Sequence, residues 1–218
     1  MLNNLSIDVN LRDKTGRTAI SWAAGDGMEM SLKLLLKSSR VDPNVPDDNR
    51  RSPLSWAAGE GQPDTLKALL KSRRVERLSE DKDRRNAISW ACGRGHEAAL
   101  QLLIEYRCPG IDDVDVDGWS PLAWAVQQDC AANVVALLSS RQVDIERRDF
   151  NGHSILSWAI SYGHKGVVKA LVDAGADLER KDSKGRAALD VAKAHKRNDL
   201  VDFLHSERLR RMGKGEGR

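Results

Sequence analysis

One histidine in this chain has neighbours that could form an acid–base group. His153 lies near Asp149 and Tyr162 in the sequence, so that a carboxylate could orient the imidazole and a phenol could donate a proton. The sequence contains no serine or cysteine nucleophile with a paired base, and no phosphate-binding glycine loop. Catalysis is therefore the less favoured interpretation of this group, and we expect a protein that uses no cofactor.

Neither the acidic residues nor the cysteines form a convincing metal site. The run Asp112-Asp113-Val-Asp115-Val-Asp117 has the composition of a calcium-binding loop but lacks the glutamate that would complete one. Cys92, Cys108 and Cys130 stand at unrelated spacings and without a histidine partner, so they predict neither a zinc site nor a disulfide framework. We expect no bound metal.

Residues suited to protein recognition are more abundant, and their types differ between the two halves of the chain. The earlier group is basic and comprises Lys14, Arg17, Arg50, Arg51, Lys82, Arg84, Arg85 and Arg94. The later group is mostly aromatic and amide-bearing and comprises Trp119, Gln127, Gln128, Phe150, Asn151, His153, Tyr162 and His164. Guanidinium groups bind carboxylates, and exposed aromatic rings contribute much of the energy of protein interfaces. An acidic peptide with apolar anchors would suit both groups.

A repeated unit must position these residues. Five tryptophans recur at intervals of 34 residues, each followed by alanine: Trp22, Trp56, Trp90, Trp124 and Trp158. A fixed period of this size predicts copies of one supersecondary unit, each of which buries its apolar face against its neighbours. An aspartate precedes each unit's first helix, and glycines such as Gly27 separate it from a second apolar stripe, which predicts a turn, helix, turn, helix unit.

The repeated segments resemble the T-P-L-H-x-A motif of ankyrin repeats. They read Thr18-Ala-Ile-Ser-Trp-Ala, Ser52-Pro-Leu-Ser-Trp-Ala, Asn86-Ala-Ile-Ser-Trp-Ala, Ser120-Pro-Leu-Ala-Trp-Ala, Ser154-Ile-Leu-Ser-Trp-Ala and Ala187-Ala-Leu-Asp-Val-Ala. The wording is most similar to ankyrin arrays of filamentous fungi. The resemblance implies an all-α solenoid of six repeats, at about 13–46, 47–80, 81–114, 115–148, 149–181 and 182–206. Residues 1–12 resemble the end of a preceding or degenerate repeat, and residues 207–218 predict a basic, disordered tail.

The resemblance also implies a function and a binding surface. Ankyrin arrays hold partner proteins along a concave wall made by the hairpin tips and the first helices. The residues expected to contact a partner are Arg17, Arg51, Arg85, Arg94, Trp119, Phe150, His153 and Tyr162. Three alternatives remain. The first is a small-molecule or catalytic pocket around Trp119, Phe150, His153 and Tyr162. The others are solvated charges with aromatic rings that only pack on neighbouring turns, and a purely structural spacer or fragment of a larger receptor.

The tryptophans themselves allow two interpretations. Each stands where the family usually has leucine, which favours a structural seam between stacked repeats. A wall on which the bases of single-stranded nucleic acid could stack is the alternative. The net charge of +3 is small and an aspartate stands at every hairpin tip, so a nucleic-acid partner is disfavoured. The first residues lack a secretion signal and no apolar run could span a bilayer, which predicts an intracellular, cytoplasmic or nuclear protein without a membrane partner.

At two hairpin tips the sequence departs from the family pattern. Arg50 and Arg84 replace the glycine that Gly16 and Gly118 supply elsewhere. An arginine at positive φ costs on the order of 1 kcal/mol. We therefore expect these two tips to adopt an altered conformation.

Overall fold

The computed structural model describes residues 7–213, which form stacked helix pairs as the repeat pattern predicts. The first helices of the six pairs are α1 (Ala19–Gly25), α3 (Pro53–Gly59), α5 (Ala87–Gly93), α7 (Pro121–Gln127), α9 (Ile155–Tyr162) and α11 (Ala188–Ala194). The second helices are α2 (Glu29–Lys37), α4 (Pro63–Lys71), α6 (Glu97–Glu105), α8 (Ala131–Ser139), α10 (Lys165–Asp173) and α12 (Asn198–Gly213). Within residues 7–213 there is no strand beyond one isolated bridge between Arg148 and Ser154. The fold is an all-α solenoid of repeats.

The start of each first helix is fixed by its sequence. In five repeats the residue before the helix has a side-chain oxygen that accepts a hydrogen bond from the backbone N–H three positions later: Thr18, Ser52, Asn86, Ser120 and Ser154. Such capping contributes about 1 kcal/mol per helix. In the sixth repeat Ala187 has no side-chain oxygen, and the carboxylate of Asp190 accepts a hydrogen bond from its backbone N–H at 3.1 Å instead.

The hairpin tips share one hydrogen-bond pattern, including the two for which we expected a different conformation. The carboxylate of Asp47 accepts hydrogen bonds from the backbone N–H groups of Asn49 and Arg51 at 2.8 and 2.9 Å. Arg50 adopts φ +62° and Arg84 φ +63°, in the same left-handed region as the tip glycines. The expectation of altered tips was wrong, because four hydrogen bonds at each of these tips outweigh a strain of about 1 kcal/mol.

The core runs continuously along the array. Leucines at the same position of successive second helices are fully buried: Leu69, Leu103, Leu137 and Leu171. Small residues of the first helices, such as Ala57 and Ala91, are also fully buried and allow neighbouring repeats to pack closely. Each repeat therefore buries its apolar side against the next, as expected for a stacked array.

The last helix is longer than the sequence suggested. Residues 207–213, which we expected to be disordered, continue α12. The guanidinium group of Arg211 donates hydrogen bonds to the carbonyl oxygens of Val172 and Ala176 at 2.6 and 2.8 Å. The prediction was wrong over this stretch because the arginine caps the carbonyl end of α10, a tertiary contact that composition does not reveal. The remainder of that predicted tail, 214–218, and residues 1–6 lie outside the described residues.

No helix within residues 7–213 combines the length and apolar character that crossing a membrane requires. The three cysteines are free thiols, and Cys92 and Cys108 are buried. The described residues contain no group of three or more histidine, cysteine, aspartate or glutamate side chains arranged to hold a metal ion.

Candidate functional site

Along the row of hairpin tips, the tip aspartates hold the tryptophan rings. The indole N–H of Trp22 donates to the carboxylate of Asp13 at 2.8 Å, and that of Trp56 donates to Asp47 at 3.1 Å. The third and fourth repeats repeat this bond at 3.0 Å each, from Trp90 to Asp81 and from Trp124 to Asp115. Because the other oxygen of each aspartate holds the hairpin tip, one carboxylate couples the tip to the first helix.

Two arginines lie between successive indole rings. The guanidinium carbon of Arg17 is 3.6 Å from the ring centre of Trp22 and 3.9 Å from that of Trp56. Arg51 repeats the arrangement between Trp56 and Trp90, at 3.8 and 3.7 Å. Both arginines are buried, with 7% and 4% of their surface exposed. They occupy an alternating stack of cations and rings. We predicted that they contact a partner directly, but they lie beneath the surface, where they pack between the rings.

Backbone carbonyl oxygens accept hydrogen bonds from both buried guanidinium groups. Arg17 donates to the carbonyl oxygen of Ser21 at 2.8 Å, and Arg51 donates to that of Ser55 at 3.0 Å. Burial lowers the pKa of Arg51 to about 10, and it lowers the pKa of Arg17 in the same way. Both groups remain protonated at neutral pH, so the stack is cationic under physiological conditions.

The tip aspartates at the two ends of the array have lowered pKa values. A hydrogen bond from the hydroxyl of Thr15 and another from the indole of Trp22 lower the pKa of Asp13. In the sixth repeat Val191 replaces tryptophan, and Arg186 donates to the free oxygen of Asp182 at 2.8 Å. Although burial acts in the opposite direction, the hydrogen bonds from Arg186 lower the pKa of Asp182. Each end thus stabilises an ionised carboxylate, by different donors.

The arginine of the third repeat occupies a looser position. The guanidinium carbon of Arg85 is 4.3 Å from the ring centre of Trp90 and 5.9 Å from that of Trp124. Its guanidinium group forms an ion pair with Asp83 at 2.6 Å. Arg94, which is exposed, is 5.8 Å from the centre of the Trp90 ring. Of the predicted basic contacts, Arg85 and Arg94 are therefore the ones that solvent reaches.

In the fourth repeat a tryptophan replaces the arginine, and the stack becomes aromatic. The ring centre of Trp119 lies 4.9 Å from that of Trp124 and 4.3 Å from that of Trp158. Trp158 in turn contacts Tyr162 at 5.6 Å, and Tyr162 stacks on His164 at 5.4 Å. Edge-to-face and stacked pairs at these distances are favourable, so the rings form one connected cluster.

The geometry does not provide the pocket considered as an alternative. The cavity between Trp119, His153 and Trp158 has a volume of about 20 Å³. That is room for roughly one water molecule, whereas a small-molecule site needs about 300 Å³ or more. The imidazole Nδ1 of His153 is 3.2 Å from the carboxylate of Asp149, while Tyr162 contacts Trp158 and His164 instead. Asp149 and His153 of the predicted acid–base group are therefore paired, whereas Tyr162 packs against other rings and does not join them.

The stacking wall for nucleic acid also lacks free ring faces in the second and third repeats. The rings of Trp56 and Trp90 each have guanidinium groups from two repeats against them, at 3.7 to 4.3 Å. A base could stack there only after displacing a buried arginine. The structural interpretation of the tryptophan ladder therefore accounts for these contacts.

One aromatic residue projects from the row of hairpin tips. Phe150, at the tip of the fifth repeat, has 74% of its surface exposed. Its ring lies on the neighbouring tip, where a Cβ atom built on Gly118 would come within 3.0 Å of it. Tyr162 and Val116 are the other exposed large apolar side chains of these two repeats on this side. Together Phe150, Tyr162 and Val116 form what we call the aromatic edge.

The tips of the second and third repeats carry cations instead. Arg50, Lys82 and Arg84 are exposed, and none of them has an ion pair within the described part of the chain. The carboxylates nearby are engaged: Asp48 with Arg12 at 2.7 Å and Asp83 with Arg85. We call Arg50, Lys82 and Arg84, together with Arg94, the basic edge.

The stacking of arginine between indoles was missed from the sequence, although a signal for it exists. Arg17, Arg51, Arg85, Trp119 and His153 each stand five residues before a tryptophan of the ladder, so their side chains share one repeat position. That register predicts contact between this position and the indole, but it does not predict burial. Packing in three dimensions decides which guanidinium groups lie inside the stack.

Comparison with known proteins agrees with this geometry. Three copies of the family model for ankyrin repeats match residues 1–78, 74–149 and 138–209. The structure is similar to the crystal structure of the ankyrin repeat domain of Bcl-3, described as a unique member of the IkappaB protein family. The TM-score is 0.79 and the sequence identity 25%, over 90% of this chain and 86% of the Bcl-3 chain. A comparison with curated proteins found no match.

Proposed function

Because the chain belongs to the ankyrin repeat family, whose members typically act as protein interaction modules, we propose that it binds a partner protein without catalysing a reaction. The partner lies along the concave side, across the basic edge and the aromatic edge. We place this function inside the cell, in the cytoplasm or nucleus, where its three free cysteines stay reduced.

The exposure of Phe150 is the observation that carries this proposal. A phenylalanine ring that is 74% exposed on a hairpin tip leaves apolar surface in water. A partner that covered the aromatic edge would bury that surface, at roughly 25 cal/mol for each Å². Trp119 and His153 support the edge from below, because their rings pack around Trp158 and fix the position of Tyr162.

The basic edge defines the chemistry of the rest of the partner. Arg50, Lys82 and Arg84 offer positive charge that no carboxylate of the described chain neutralises within an ion-pair distance. An acidic segment would complement them and would be attracted from a distance. The partner we propose is an extended acidic peptide or protein segment with apolar side chains that reach the aromatic edge.

The test compares variants that leave the contacts between arginines and indoles in the first three repeats intact. The wild type captures partners from extract, each is identified and purified, and its Kd is measured for Phe150→Ala and Tyr162→Ala. We expect a combined loss of about 2 kcal/mol, or roughly 30-fold in Kd. Leu209→Ala, an exposed apolar residue on α12, is the matched control and should leave Kd unchanged. Unchanged binding by both aromatic variants would contradict the proposed surface.

The basic edge is tested through its salt dependence. Replacing Arg50 and Arg84 by alanine should slow association at low ionic strength and flatten the dependence of the association rate on salt. Lys184→Ala, at the tip of the sixth repeat, changes an exposed charge outside this edge and serves as the control. If the control slows association as much as the double variant does, the charge effect is not localised to the basic edge.

A further inference from the structure

Backbone hydrogen bonds join neighbouring hairpin tips along the first four repeats. In each bond an N–H group of one tip donates to a carbonyl oxygen of the preceding tip: Asp48 to Thr15 at 3.1 Å, Lys82 to Asn49 at 2.9 Å and Val116 to Asp83 at 3.0 Å. Phe150 and Asp117 occupy the equivalent positions of the fifth and fourth tips. Between residues 7 and 213, no backbone hydrogen bond joins these two residues. The row of bonded tips therefore ends between the fourth and fifth repeats.

The packing between first helices changes at the same junction. Glycine ends each of the first three of these helices, and a Cβ atom built on Gly25, Gly59 or Gly93 would lie 3.3 to 3.7 Å from the tryptophan of the next repeat. Each glycine thus lets the tryptophan of the next repeat approach the helix end closely. In α7 the exposed Gln127 stands at this position. Within the described part of the chain, Trp158 of the next repeat also lacks the hydrogen bond to a tip aspartate that the four earlier tryptophans donate.

Ring packing and an ion pair connect the two sides of this junction. The ring centre of Trp119 lies 4.3 Å from that of Trp158. Arg147, in the loop that leads into the fifth tip, forms an ion pair with Asp112, in the loop that leads into the fourth. Aromatic pairs and flexible charged side chains tolerate a change of angle better than a backbone hydrogen bond does, because that bond weakens steeply away from linearity. These contacts allow a rotation that bonded tips would resist.

An arginine secures the following junction, between the fifth and sixth repeats. Arg197, directly before α12, donates hydrogen bonds to the carbonyl oxygens of Ser161 and Tyr162 at 2.9 Å each, and so joins the sixth repeat to the end of α9. His164 occupies the equivalent position before α10, and its Nδ1 is 3.5 Å from the exposed carboxylate of Asp129. Among residues 7–213 this imidazole makes no hydrogen bond with a carbonyl oxygen of α7. The fourth and fifth repeats therefore lack this connection as well.

We propose that the array bends at the junction between the fourth and fifth repeats, and that the repeats on either side of it move as two units. Hinges form where neighbouring units share few directional contacts. In the described residues this junction lacks the bond between tips, the glycine contact and the capping arginine that other junctions have. The bend changes the distance between the basic edge and the two residues of the aromatic edge that belong to the fifth repeat, Phe150 and Tyr162. It is a motion of the free chain, so its test requires no partner.

Spin labels at equivalent positions of the second helices measure this motion. One repeat position on these helices is exposed in four successive repeats: Lys67, Gln101, Val135 and Lys169. Labels at Lys67 and Val135, on α4 and α8, bridge the junctions from the second to the fourth repeat. Labels at Gln101 and Lys169, on α6 and α10, bridge the junctions from the third to the fifth repeat. Both pairs therefore span two junctions, but only the pair on α6 and α10 spans the hinge.

The distances between the labels show whether the motion is confined to one junction. Each labelled residue is changed to cysteine in a Cys130→Ser chain, because Cys130 is half-buried while the other two native cysteines are buried. Double electron–electron resonance then gives the distribution of distances for each pair. We expect the distribution for the pair on α6 and α10 to be about twice as wide as that for the pair on α4 and α8, because a hinge adds a range of distances. A distribution for the pair on α6 and α10 that is no wider than the other, whether both are narrow or both are wide, would overturn the proposal.

Two variants at one repeat position provide a matched comparison. Trp119→Ala removes the ring that packs on Trp158 across the hinge, and it should widen the distribution for the pair on α6 and α10 further. Arg51→Ala removes the equivalent side chain between Trp56 and Trp90, at a junction that has the bond between tips and the glycine contact. It should leave the distribution for the pair on α4 and α8 unchanged. If Arg51→Ala widens that distribution as much as Trp119→Ala widens the other, every junction opens alike and the bend is not localised.

Discussion

The first three repeats and the two that follow build the same seam of stacked side chains beneath the hairpin tips, with different chemistry. In the former, guanidinium groups lie against the indoles, at 3.6 to 3.9 Å for Arg17 and Arg51. In the latter, Trp119 takes the equivalent position and packs against Trp124 and Trp158. The bond between the tip aspartate and the indole persists through the fourth repeat, so the framework is independent of what fills the space between rings.

This difference has a consequence for the surface. Where arginine fills the seam, the cleft between the tips of the second and third repeats keeps a volume of about 290 Å³ lined by polar residues such as Asn49 and Lys82. Where tryptophan fills it, the cavity shrinks to about 20 Å³ and the apolar Phe150 projects above it. The residue at this one repeat position is thus arginine beneath the basic edge and tryptophan beneath the aromatic edge.

Removing an indole ring from the first three repeats, where arginines lie against the rings, should have the largest effect on stability. Trp90→Ala would withdraw the partner of Arg51 and Arg85 and leave the carboxylate of Asp81 without its indole donor. We expect a loss of about 3 kcal/mol or more in the free energy of unfolding, measured by urea denaturation.

Val191→Ala in the last repeat is the comparison for that experiment, because Val191 occupies the equivalent position on α11 and is fully buried. It should cost less, about 1 to 2 kcal/mol, since a smaller side chain with no polar contact is removed next to the end of the array. A larger loss at Val191 would contradict the stacked arrangement of coupled repeats.

Truncating the arginines should lower stability more where the guanidinium group lies close to both rings than where it lies farther away. Arg51→Ala removes a buried cation between two rings and should cost about 2 kcal/mol, whereas Arg85→Ala should cost about 1 kcal/mol because Arg85 is farther from both of its rings. Urea denaturation of the two variants measures the difference. Equal losses would show that distance from the ring does not govern the contribution of these arginines.

Replacing the tryptophan of the fourth repeat by arginine should lower the free energy of unfolding less than removing its side chain does. Trp119→Arg would place a guanidinium group between Trp124 and Trp158, as in the preceding repeats, while the bond of Trp124 to Asp115 remains. We expect a loss of about 1 kcal/mol, smaller than for Trp119→Ala. If the arginine variant is no more stable than the alanine variant, the seam of the fourth repeat does not accept a cation.

Acid sensitivity should be the smallest of these effects, and it tests the ends of the array. The pKa of Asp13 is below its ordinary value of 3.8 in the folded protein, and the pKa of Asp182 is lowered too. The unfolded chain therefore binds these protons more readily, so the stabilisation is complete above about pH 4 and is lost as the pH falls through the folded pKa values. Asp13→Asn should flatten the fall in stability between about pH 4 and pH 2, as followed by urea denaturation at each pH. A steeper fall would reverse the sign of the linkage.

Much of the fold was predictable because its determinants are local and repeated. The caps Thr18 and Ser52 and the breaks at Gly27 and Gly61 lie beside the helices that they delimit, so their spacing predicted each helix pair. The site was less predictable. Arg51 and Arg94 are both arginines near the same ladder, yet one is buried between rings and the other is exposed, and only neighbouring repeats determine that.

The sequence by itself determined the period, the helix pairs and the residue types that face each other from repeat to repeat, because each of these depends on contacts within about one repeat length. Tertiary structure decided which charges are desolvated and that Arg211 extends the last helix onto α10. The physical reason is that burial and capping depend on the distances between side chains of different repeats, which the order of residues alone does not give.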